Sequence, residues 1–64
     1  MIKGYNRLNE EEKKIFNNFK TEFLRVNDST IEFIAVLQKW NYIRVDFRIN
    51  SRNEWLHITP YGLY

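Results

Sequence analysis

Cysteine is absent from the 64 residues, so neither a disulfide nor a thiolate metal site can be built. Histidine occurs once, at position 57, and with no partner beside it in sequence it reads as a structural or surface residue rather than a general base. Glycine-rich phosphate loops, metal-ligand spacings and nucleophile motifs are all missing. Glu10, Glu11 and Glu12 are consecutive, so they point in different directions around a helix start and do not form a catalytic pair. These absences argue against an enzyme and call for no cofactor. Long apolar runs are missing too. Met1 to Arg7 does not read as a signal peptide and nothing later has the length of a membrane span, so the expectation is a soluble, cytoplasmic protein.

Charge of one sign is also scarce. Ten basic residues against eight acidic ones leave a net +2, too little by itself to announce a nucleic-acid partner. Its distribution is uneven: residues 1–32 carry six positive and six negative side chains, and residues 33–64 carry four and two. The excess lies in the C-terminal half. What the chain has in quantity is aromatic side chains, 17% of the total, more than a small core can be expected to enclose. A chain of this length forms one domain and buries only about 60% of the surface its unfolded form exposes. Its stability is then on the order of 3–10 kcal/mol, so a dimer or bound partner would matter for its persistence.

The first eight residues form a polar lead, loosely ordered unless Tyr5 or Leu8 docks on the core. Asn9 followed by three glutamates is a helix start, with Glu12 placed to close a capping box. Ile15, Phe16, Phe19, Phe23 and Val26 then mark one face of a helix running to about Arg25. After Val26-Asn27-Asp28, Ser29 to Glu32 has the form of a second capping box. Ile31, Ile34, Leu37 and Trp40 recur every three residues, with Phe33 and Val36 beside them, which predicts a second helix over 29–40 ending at Asn41. From Tyr42 the period changes to two, with Ile43, Val45, Phe47 and Ile49 opposite Arg44, Asp46, Arg48 and Asn50. The polar cluster Asn50 to Asn53 and the segment Glu54 to Thr59 complete a β-hairpin, with Leu56 and Ile58 on one face and Trp55, His57 and Thr59 on the other. Pro60 stops the ladder. The expected fold is α+β: two helices packed on a C-terminal two-stranded antiparallel hairpin.

The stretch Leu37-Gln38-Lys39-Trp40-Asn41-Tyr42-Ile43-Arg44, followed by a hairpin ending in Ile58-Thr59-Pro60-Tyr61-Gly62, resembles a winged-helix domain over residues 29–62. It is similar in particular to the small winged-helix proteins encoded by prophages and low-GC bacteria. Standard members have three helices where two are expected here, so either the first helix contains a break or the fold is a reduced α-α-β-β version. The resemblance implies a small transcription regulator that binds double-stranded DNA, with helix 29–40 entering the major groove and the turn 50–53 acting as the wing. Thr30, Gln38 and Lys39 would then reach bases or phosphates from the helix, and Arg44, Arg48, Ser51, Arg52 and Asn53 from the hairpin. Glu32 on the reading helix would repel phosphate, and the plainer reading of these polar residues is a solvated face.

The aromatic residues point to a different class. Trp40, Tyr42, Trp55, Tyr61 and Tyr64 exceed what the inward faces need, and Trp and Tyr are enriched at the energetic centres of protein interfaces. A homodimer or a phage-type inhibitor or adaptor that captures another protein would use them. Their plainer reading is that they roof a thin core. Salt separates the two functions, since phosphate contacts weaken steeply with ionic strength and aromatic contacts do not.

Overall fold

The computed structural model describes residues 2–27 and 30–63. One α-helix, α1 (Glu10–Val26), is followed by the strands β1 (Ile31–Gln38), β2 (Ile43–Ile49), β3 (Arg52–Thr59) and β4 (Gly62–Leu63). The strands form one antiparallel sheet in chain order, and α1 packs across one face of it.

The first helix starts as its sequence demands. Asn9 Oδ1 accepts from the Glu12 N–H and Glu12 Oε1 accepts from the Asn9 N–H, both at 2.8 Å, a reciprocal cap that satisfies two orphan donors. Phe16, Phe19 and Phe23 descend from it onto the sheet. Phe16 and Phe19 meet Phe33 edge-on at 5.9 and 6.0 Å, and Phe23 meets Phe47 at 5.3 Å. Leu8, Val36, Ile43, Val45 and Phe47 complete the buried core with Phe16 and Phe19. Residues 2–8 are held in place: Leu8 is buried, Tyr5–Arg7 form a 3₁₀ turn, and the Tyr5 ring packs edge-on against Phe16.

The second expected helix is a strand, which corrects the two-helix, two-strand layout to one helix and four strands among the described residues. A β-bulge explains the misleading pattern. β1 pairs regularly with β2 through Ile31↔Ile49 and Phe33↔Phe47, then slips one residue, so that Ala35 faces Asp46 and Val36 faces Val45. The inward residues of β1 are therefore spaced two and then three apart, and a spacing of three imitates a helix. The stripe Ile34, Leu37 and Trp40, expected to face a core, is exposed. Thr30, Ile31, Phe33, Ile34 and Val36 are β-branched or aromatic, and they suit a pleated surface better than a helix. The proposed cap at Ser29 lies outside the described residues.

The bulge is also where residue 3 joins the sheet. Lys3 N–H donates to the Ile34 carbonyl at 3.0 Å, and Val36 N–H donates to the Lys3 carbonyl at 2.8 Å. Gly4 makes this approach possible. Its φ is +85°, and a Cβ there would run into the Val36 carbonyl oxygen.

The hairpin from residue 42 to residue 59 forms in the expected alternation. Asn50 and Ser51, at φ 51° and 68°, make its two-residue turn in the doubly left-handed form whose twist matches the flanking strands. The polar cluster at 50–53 is thus divided: two residues turn, and Arg52 and Asn53 already belong to β3.

Candidate protein-binding surface

With α1 on one face of the sheet, the other face has no helix over it among the described residues. Strand alternation and register decide what it carries. Glu32, Arg48 and Asn53 form one cross-strand row, Ala35, Asp46 and Trp55 the next, and Leu37, Arg44 and His57 the third. Along a diagonal of this face four side chains stack in sequence. Tyr42 lies against His57 with ring centres 4.4 Å apart, His57 against Trp55 at 4.9 Å, and the Arg44 guanidinium over the Trp55 ring at 5.0 Å.

The charges on this face are matched. Arg44 Nε donates to Asp46 Oδ1 at 3.1 Å, and Arg48 lies 3.7 Å from Glu32 while donating to Asn53 Oδ1 at 3.3 Å. Exposed pairs of this kind are worth little in stability, but they leave the face close to neutral. His57 has Tyr42 and Trp55 as ring neighbours, at interplanar angles of 45° and 39°, and Trp55 has His57 and the Arg44 guanidinium.

The stack leads to a groove at the end of the sheet where β1 turns into β2. That turn is closed by the Lys39 N–H donating to the Tyr42 carbonyl at 2.8 Å, with Trp40 and Asn41 at its tip. Trp40 is 97% exposed, which rejects the idea that it roofs the core. Beside it lies a groove of about 480 Å³ lined by Ile15 of α1, Tyr42 just before β2, Ile43 at its start, and Ile58, Thr59 and Pro60 at the end of β3. Tyr61, next to Pro60, is 82% exposed, and Trp55 is 52% exposed. The Thr59 hydroxyl braces this corner by accepting from the Tyr61 N–H at 3.1 Å and donating to the Gly62 carbonyl at 2.7 Å.

The five aromatic candidates thus fall as follows. Trp40 and Tyr42 line the groove, Trp55 joins Tyr42 through His57, and Tyr61 adjoins Pro60 on the groove wall; Tyr64 lies outside the described residues. Seven of the eight nucleic-acid candidates are divided between two ends of the sheet. Gln38 and Lys39 sit at the groove, no longer on a helix, while Arg48, Ser51, Arg52 and Asn53 surround the opposite turn. Thr30 is at that second end, where its carbonyl accepts from the Asn50 N–H at 3.1 Å. The length of β2, at about 3.3 Å per residue, keeps the ends on the order of 20 Å apart. Arg44 lies between them, stacked on Trp55.

Sequence reasoning missed the role of His57 as the middle of the stack, and missed the groove residues Ile15, Ile43, Ile58 and Pro60. The signal for the stack was present in the alternation: Tyr42 and Arg44 share a parity, as do Trp55 and His57, and the two-residue turn sets them face to face. No three His, Cys, Asp or Glu side chains are grouped to hold a metal ion among the described residues, and no helix there is long and apolar enough to cross a membrane. Comparison with known proteins adds no relative: no family model, no curated protein and no solved structure matches this chain.

Proposed function

We propose that this chain is a non-catalytic protein-binding module that takes its partner at the Trp40 groove and along the aromatic track on the open sheet. The observation that carries this reading is the exposure of Trp40 beside an apolar groove, with Tyr61 close by and Tyr42, His57 and Trp55 continuing the surface. A tryptophan held in water at a turn tip contributes nothing to the core, whereas burying it against a partner removes a large apolar surface from solvent. The neutral charge balance of the track favours a protein over a polyanion.

Selection from a displayed peptide library tests this, with each enriched ligand measured against wild type, Trp40→Ala and Tyr61→Ala. The expected result is binding that changes little between low and moderate salt and falls at least about tenfold in the variants, the loss of a central aromatic anchor being worth about 2 kcal/mol or more. Ligands that bind the variants as tightly as wild type would remove the groove from consideration.

Double-stranded DNA is the second reading, and it rests on the β2–β3 turn. Arg52 is exposed there with no ion-pair partner among the described residues, beside Arg48 and Asn53. This version has no reading helix and relies on phosphate contacts alone. Fluorescence anisotropy of a mixed-sequence duplex at low and moderate salt, with wild type and an Arg48→Glu, Arg52→Glu double variant, separates the two. Tight binding that weakens with salt and disappears in the double variant would favour DNA over a protein partner.

A further inference from the structure

The two edges of the sheet are treated differently. β1 carries a bulge in its ladder with β2 and is occupied on its outer side by Lys3, two devices that stop a further strand from adding. β3 has neither. β4 pairs with it only at Ile58 and Thr59, so from Arg52 to Glu54 and on to Trp55 no strand lies beside β3 among the described residues. The turn at Asn50 and Ser51 closes on the Ile49↔Arg52 pair, and ladder alternation then directs the N–H and C=O of Arg52 and Glu54 to β2 and those of Asn53 and Trp55 to the open edge.

The side chains on that edge carry an unused charge pattern. Arg52 and Glu54 stand two apart on the same face of β3, both exposed, and neither has an ion-pair partner among the described residues. A charged edge repels most strands, but this one is complementary to itself when run antiparallel.

We propose that a second copy of this chain pairs with β3 edge to edge, about a two-fold axis at Asn53, to make one continuous sheet. In that register the two Asn53 residues exchange backbone hydrogen bonds, and Arg52 of each copy lies opposite Glu54 of the other. Neighbouring registers fail for stated reasons. A slip of one residue towards β4 sets Glu54 against Glu54, and a slip the other way sets Arg52 against Arg52. A slip of two towards β4 brings the second copy's Arg52 beside Ile58, where Leu63 already pairs. The groove at Trp40 lies at the other end of the strands and stays open, so this assembly is independent of the partner-binding reading.

The test is sedimentation velocity at low salt on wild type, Arg52→Glu, Glu54→Arg, the double swap carrying both changes, and an equimolar mixture of the two single variants. Both substituted positions, Arg52 and Glu54, are exposed, and circular dichroism checks that each variant keeps the fold. The contact is small, so concentrations up to about 1 mM are needed. Wild type and the double swap are expected to dimerise, each single variant to be monomeric, and the mixture to form a heterodimer, because it places two glutamates opposite two arginines. Asn53→Pro, which removes an outward N–H without touching the β2 ladder, is expected to abolish the dimer in every combination. A monomeric wild type at the highest concentration overturns the proposal, as does dimerisation of the single variants equal to that of wild type.

Discussion

Residues with left-handed backbone decide two of the connections that shape this molecule. Gly4 is required because the chain must pass so close to the Val36 carbonyl that no side chain fits, and this passage seals the outer edge of β1. Ser51 is the opposite case, a residue with a Cβ held at φ 68° in the second position of a turn where glycine is usual. Left-handed backbone costs a non-glycine residue roughly 1–2 kcal/mol, and glycine returns part of that through the entropy of the unfolded chain. Ser51→Gly should therefore stabilise the protein by about 0.5 kcal/mol, a rise of about 2–4 °C in Tm for a domain of this size. A thermal melt showing no rise, or a fall, would mean that the serine hydroxyl makes up for its backbone.

At the scale of elements, α1 and the 42–59 hairpin follow local rules, and β1 follows its neighbours. The reciprocal cap between Asn9 and Glu12 starts α1 at its observed residue, with three acids in the first turn where the helix dipole favours them. Asn9→Ala removes the acceptor for the Glu12 N–H and should cost about 1 kcal/mol, read as a lowered urea midpoint with an unchanged slope. β1 has no comparable local signal. Its residues favour a strand by type, yet the bulge between Phe33 and Ala35 spoils the alternation by which a strand is recognised. A strand is also of little use alone, since a two-stranded hairpin is marginal in water and gains stability by adding a third strand and a helix.

For the whole molecule, the core is small and depends on few side chains. Phe16 is fully buried and touches Tyr5, Phe19 and Phe33, joining the lead, the helix and β1 in one contact set. Truncating such a residue costs about 3–5 kcal/mol against a total stability on the order of 3–10 kcal/mol. Phe16→Ala should then leave a large part of the population unfolded at 25 °C, detected as lost far-ultraviolet ellipticity without denaturant. A helix thin enough to cover one sheet face leaves the other open, and it is this division that places aromatic side chains on a surface.

The sequence by itself determined the elements whose instructions are local. Asn9 to Glu12 names a helix start, Phe16, Phe19 and Phe23 name its inner face, and the parity of residues 43–49 separates the buried side of β2 from its exposed side. It also showed that the aromatic residues exceed the needs of the core. Only the tertiary structure decided what residues 30–40 become, because the bulge sets the inward residues Phe33 and Val36 three apart, a spacing that a helix shares, and pairing with β2 on one side and Lys3 on the other selects the strand. That single choice moves Trp40 from a helix end to an exposed turn and sets the polar candidates at opposite ends of a sheet, because pairing with a neighbouring strand is a relation that no local pattern of residues 30–40 encodes.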